Sequence, residues 1–151
     1  TYSMSPGDVL DLLLNAGYTE ISANISSIEI LSYGEGSHYV NSLRFRDILG
    51  NELTVNGSDA IYKALGCKLP SVAFTVGQAG QTVEKLTYND GQPIKQSILL
   101  DGLFGKFVFV GSGEGNGLGV SILGAKDDAS NGMTYSQIIT KYYHGVMITK
   151  L

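Results

Sequence analysis

Cationic side chains are scarce in this chain: ten Lys and Arg stand against fourteen Asp and Glu in 151 residues, a formal net charge of -4. Nucleic acids are held by clustered Lys and Arg that neutralise phosphates, so that partner class is excluded, and anionic membrane surfaces are disfavoured for the same reason. Cysteine is limited to Cys67, which rules out an internal disulfide. With only His38 and His144 beside it, the chain has too few ligands for a convincing zinc site, and no metal or cofactor is assigned. Long apolar runs are missing as well. "ILLDGLFGKFVFVG" and "DVLDLLL" are interrupted by Asp, Gly or Lys well short of the roughly 20 residues a membrane-spanning helix needs. Charged residues make up 16% and hydrophobic residues 43%, a balance that excludes intrinsic disorder and predicts a folded domain with a largely neutral surface. The length suits one domain, taken as residues 1–151. Because the first residue is Thr1, the chain is expected to be a portion of a longer protein, so a missing leader says nothing about compartment.

What is present is glycine, and its placement is unusual. Gly111, Gly113, Gly115, Gly117 and Gly119 recur at every second position in "GSGEGNGLG". Glycine weakens helix and strand alike, so such alternation requires either left-handed turns or close approach of another backbone or a ligand. Around this loop the patterns predict an α+β fold: a largely antiparallel sheet with a few short helices, the loop leading into two C-terminal helices. Residues 5–16 form a capped helix stopped by Gly17. "SSIEILSY", "SHYVNSLRFRD" and "NELTV" read as an antiparallel meander. "NGSDAIYKALG" is a short helix with Ser58 or Asn56 as its cap, and "SVAFTV", "TVEKLTY", "QPIKQSILL" and "KFVFVG" are four further strands. "SILGAKDDASNG" and "TYSQIITKYYHG" give the last helices, with Thr134 capping the second and Gly145 stopping it, and "VMITK" is expected to close the fold as a strand.

Several chemistries fail on spacing. No window in 111–124 gives GxGxxG, and Ala125-Lys126 follows Gly124 where a P-loop needs Gly, Lys and then Ser or Thr. His38 and His144 have no Ser or Cys nucleophile placed around them, and His144 reads as a partner of a helix C-terminus. Cys67 reads as a small buried filler, and Asp127 and Asp128 as solvated acids. Glu114, the lone acid of the glycine loop, has the residue type of a glycosidic general acid but no second acid beside it. Tyr135, Tyr142 and Tyr143 offer aromatic faces suited to sugars, with core packing of at least one of them as the alternative.

The run from Phe107 to Gly145 resembles the C-terminal signature of the SpoIID/LytB family, named for stage II sporulation protein D and an amidase enhancer. Gly115-Asn116-Gly117-Leu118-Gly119 stands at that family's GHGVG, Ser121 at its Ser and Gly124-Ala125 at its Gly-Ala. Gly132, Tyr135, Ile138, Tyr142, Tyr143 and Gly145 follow in register. Upstream, Leu65-Gly66 and Leu69-Pro70-Ser71 with Phe74 resemble the family's Leu-Gly and Leu-Pro-Ser segment, and 77–105 reads as an insertion. Asn116 replaces the loop histidine, Ile122 a Gln, His144 a Pro, and Tyr62 stands where many members have Arg.

The resemblance implies peptidoglycan remodelling in the cell envelope or outside the cell, in Gram-positive bacteria: cleavage of glycan strands between N-acetylmuramic acid and N-acetylglucosamine. It implies glycan strands as the partner, with other wall-remodelling proteins as further ones. Family members that are lytic transglycosylases carry their catalytic Glu in an upstream segment followed by an alanine-rich helix, which nothing in residues 1–151 resembles. No catalytic residue is therefore assigned here. Ser112, Glu114, Asn116 and Ser121 are the expected glycan contacts, backed by Tyr142 and Tyr143. Two other readings stand beside this one: a non-catalytic wall-binding or structural module that kept only the scaffold, and an unrelated α+β domain whose glycine loop is a packing device.

Overall fold

The computed structural model describes residues 1–35, 37–89, 92–113, 120, 122–143 and 146–149, with Leu123 described by its backbone alone. The fold is α+β with antiparallel sheets. The chain forms two compact units, Thr1–Gly117 and Leu118–Leu151.

The first unit begins with a short strand, β1 (Tyr2–Met4), and helix α1 (Pro6–Asn15). Ser5 caps that helix reciprocally: its hydroxyl accepts from the Asp8 N–H at 3.1 Å, and the Asp8 carboxylate accepts from the Ser5 N–H at 2.9 Å. Val9 and Leu13, four residues apart on one face, are fully buried. Gly17 ends the helix in the left-handed region at φ +90°.

The predicted meander is present as β2 (Ile25–Tyr33), β3 (Val40–Asp47) and β4 (Glu52–Asn56), paired in that order. The period of two decides which side chains go inward: Leu43 and Phe45 face the core, while Arg44 and Arg46 face out and pair across the strands with Glu29 and Glu52. Helix α2 (Ser58–Ala64) follows, but neither expected cap serves it. The Ser58 hydroxyl donates to the Val40 carbonyl at 2.8 Å and ties the helix to β3, Asn56 accepts from the Ser42 hydroxyl at 2.7 Å across β3 and β4, and Gly57 takes the cap position.

A second sheet has the order β1, β8 (Phe107–Gly111), β5 (Phe74–Gln78). Its central strand is the continuous apolar run Phe107-Val108-Phe109, buried throughout. Between β5 and β8 the chain forms a two-stranded ribbon, β6 (Thr82–Asn89) and β7 (Gln92–Leu99). Phe45, Phe107, Phe109, Leu13, Ile61 and Val40 are among the largest fully buried side chains, so meander, second sheet and both helices share one core.

The second unit holds α3 (Ile122–Ser130) and α4 (Tyr135–Tyr142). Gly132 lies between them at φ +87°, and Thr134 caps α4 in a box with Gln137, as the sequence predicts. Asp128, expected to be solvated, is instead buried and ion-paired to Lys141 at 2.7 Å, joining the two helices. The described residues of the expected strand "VMITK", 146–149, pair with no strand. Gly145 and His144 lie outside the described residues. Cys67, expected to be buried, is exposed at φ +53°, because the chain reverses after α2 in a left-handed turn closed by Cys67 N–H to Tyr62 O at 2.9 Å.

Candidate functional site

The candidate site lies where β8 ends and the glycine loop begins. β5 and β8 pair antiparallel, Phe74 opposite Gly111, so the segment entering β5 runs beside the one leaving β8. This brings Leu69-Pro70-Ser71 against Gly111-Ser112-Gly113 across a recess of about 60 Å³ floored by Phe74 and Phe109. The two rings meet edge to face, centroids 5.4 Å apart. Liquid water occupies roughly 30 Å³ per molecule, so the recess has room for a small substituent or a pair of waters, not for a whole sugar ring.

Both physical reasons for the glycine alternation occur here, one at each described loop glycine. A Cβ on Gly111 would lie 2.5 Å from the Ala73 carbonyl oxygen, so only glycine permits this approach of two backbones. Gly113 is in the left-handed region at φ +81°. Between them the Ser112 N–H donates to that same Ala73 carbonyl at 3.0 Å, which leaves the exposed Ser112 hydroxyl at the mouth. Opposite, the buried Ser71 hydroxyl oxygen accepts from the Ala73 N–H at 3.0 Å and fixes the turn into β5. Ser71 was not among the expected glycan contacts. Its Leu-Pro-Ser context pointed to it, but only the β5–β8 register sets it beside the loop.

Of the six expected contacts, Ser112 is placed in the first unit and Tyr142 and Tyr143 in the second, while Glu114, Asn116 and Ser121 lie outside the described residues. Tyr142 is half-buried with the Lys141 ammonium 5.8 Å from its ring centroid, and Tyr143 is exposed. That ammonium is engaged by Asp128, whose hydrogen bond is the main cause of its raised pKa. Tyr135, on the first turn of α4, is exposed too. None of the three tyrosines is a core residue of this unit; Ile138 is. Among the described residues no group of His, Cys, Asp or Glu is placed to hold a metal ion, and no helix is long and apolar enough to cross a membrane.

What the described residues offer chemically is a serine hydroxyl and a side-chain-free backbone at the mouth of a recess with apolar walls, lined also by Thr1 and Tyr2. Compared with protein-family models, curated proteins and solved structures, the chain matches none of them.

Proposed function

We propose that this chain forms the glycan-contacting part of a peptidoglycan-remodelling protein resembling the SpoIID/LytB family, acting in the cell envelope or outside the cell. The carrying observation is that Leu69-Pro70-Ser71 and Gly111-Ser112-Gly113, the two segments that the resemblance marks, are about forty residues apart in sequence and line one recess. Sugars present hydroxyl and acetamido groups, and a mouth of glycine backbone with an exposed serine hydroxyl offers hydrogen-bonding partners for them. The recess takes a substituent while the ring lies outside on the glycine backbone. Asn116 at the position of the loop histidine donates and accepts hydrogen bonds but cannot shuttle a proton near neutral pH, so this part of the groove binds and does not catalyse. Cleavage then depends on an acid that residues 1–151 do not supply.

The test is a pull-down of the purified chain on insoluble peptidoglycan, intact and stripped of stem peptides, with mass spectrometry of the supernatant. Binding without release of muropeptides is the expected result. Muropeptide release would overturn the division of labour, and failure to bind either form would overturn the glycan reading. That last outcome belongs to the second reading, a scaffold that has lost its chemistry, which Asn116 favours together with Ile122, an apolar residue 84% exposed at the first position of α3 where the family has Gln.

A further inference from the structure

At one end of the first unit, two turns carry their largest side chains into solvent. Ile48 and Leu49, between β3 and β4, are 67% and 71% exposed, and Leu103 and Phe104, ahead of β8, are 68% and 98% exposed. The turns leave the unit together because β3 and β5 begin and end near each other. Val40 N–H donates to Val72 O at 2.9 Å where they begin. Where they end, the Gln78 side-chain amide donates to Ser26 O at 3.1 Å and the Ser26 hydroxyl to Asp47 O at 3.0 Å. β8 starts opposite Gln78, so the chain entering it arrives at that same end.

Exposed apolar tips alone name no partner, but the backbone beneath them does. Every N–H from Ile48 to Asn51 is bonded inside the unit: Ile48 to Asn24 O at 3.0 Å, Gly50 to Asp47 O at 3.1 Å, and Leu49 and Asn51 to the Asp47 carboxylate, both at 2.9 Å. The Asn51 carbonyl accepts in turn from the Asp47 N–H at 3.0 Å. A turn facing water has no need of this, since water satisfies its amides, and a protein partner brings donors and acceptors of its own. The acyl boundary of a bilayer brings none, so each unbonded amide carried into it costs free energy. Charge also stops short of the tips. Residues 48–51 and 102–105 hold no charged side chain. Asp47 is buried beneath the first turn, Arg46 and Glu52 pair with each other behind it, and Asp101 and Lys106 flank the second. Aliphatic and aromatic side chains in front of a charged collar suit a surface that enters only the headgroup and upper acyl layer. The net charge of -4 selects the lipid, a zwitterionic headgroup and not an anionic one.

We propose that the turns Asp47–Gly50 and Leu103–Lys106 form a membrane-surface contact that inserts Ile48, Leu49, Leu103 and Phe104 into the interface of a zwitterionic bilayer. The contact is independent of the glycan reading, whose recess lies at the Gly111 end of β8.

The chain has no Trp, so Phe104→Trp gives the whole chain a single reporter for the experiment. Phosphatidylcholine vesicles should shift its emission to the blue, and bromine on the upper acyl carbons should quench it, while added phosphatidylserine should not strengthen binding. Ile48→Ser with Leu49→Ser in the same background should weaken partitioning by at least about tenfold, because two aliphatic side chains no longer leave water. Ile122→Ser, which removes a similarly bare apolar side chain from the second unit, should leave partitioning unchanged. No blue shift at millimolar lipid, or partitioning that survives the loss of Ile48 and Leu49 in a variant of unchanged melting temperature, would overturn the proposal. Emission that is already blue without lipid, and that moves to the red on dilution, would assign the tips to a second copy of the chain and overturn it as well.

Discussion

Asp47 shows what one buried polar residue does for this fold. Its carboxylate accepts from the N–H groups of Ser22 (3.2 Å), Leu49 and Asn51 (both 2.9 Å) and from the Asn51 amide (2.8 Å), fixing the β3–β4 turn to the chain before β2. Burial alone would raise its pKa, but the Asn51 side chain and those three backbone donors outweigh it and hold the group at about 2. The native pKa lies below the ordinary carboxylate value near 3.8, so the stabilisation is complete above that value and is lost as pH falls through about 2. Melting temperatures between pH 5 and 2 should therefore fall steeply in the parent chain and less steeply in Asp47→Asn, which also starts lower because an amide cannot accept from all four donors; parallel curves would refute this. Gly111→Ala makes a second case, since its Cβ would meet the Ala73 carbonyl at 2.5 Å. The two strands must part there, at about 1–3 kcal/mol in urea unfolding, whereas Gly50→Ala, which has open space but φ +88°, should cost about 1 kcal/mol. Such residues are only half legible in sequence. The glycine alternation marked the loop, but Asp47 reads as any turn aspartate, and Cys67 and Asp128 were misplaced because each environment depends on the path of a neighbouring segment.

Elements were legible where the sequence carries both a period and a stop signal. Ser5-Pro6 with Asp8 and Gly17 delimits α1, and Thr134 with Gln137 opens α4 as the capping pattern requires. Removing the first cap by Ser5→Ala leaves the Asp8 N–H without its side-chain acceptor and should cost about 1 kcal/mol in denaturant unfolding; no change would mean that the helix start is held by packing alone. The arginine and glutamate alternation of β2–β4 could be read as an exposed face, and it is one. Missed elements are those defined by a partner and not by their own pattern. β1 is three residues long, too short to show a period, and exists because Tyr2 and Met4 pair with Phe109 and Phe107. The candidate site divides likewise: the glycine loop and the Leu-Pro-Ser segment were visible, but only the β5–β8 register sets Ser71 beside Ser112.

At the scale of the first unit, the two ends of its second sheet differ in character. β8 runs from Phe107 to Gly111, and its glycine end carries the polar recess. At the Phe107 end the neighbours are turns with apolar residues at their centres. Leu103–Lys106 is closed by Lys106 N–H to Leu103 O at 3.2 Å and carries Phe104 98% exposed, and Asp47–Gly50 is closed by Gly50 N–H to Asp47 O at 3.1 Å and carries exposed Ile48 and Leu49. Both turns lie at this end because Ala79 N–H donates to Lys106 O, Gln78 donates to Ser26 O, and the Ser26 hydroxyl donates to Asp47 O. Central turn positions ordinarily hold Asn, Asp, Gly or Ser, and these side chains make no core contact that would justify their type. They contribute to the surface and not to the fold. Replacing Leu103 and Phe104 together by Ser should leave the unfolding free energy within about 0.5 kcal/mol of the parent, while retention on a hydrophobic-interaction column falls markedly. A large loss of stability would show that the turn is buried in solution, and unchanged retention would show that this end is covered by another part of the chain or by a second copy of it.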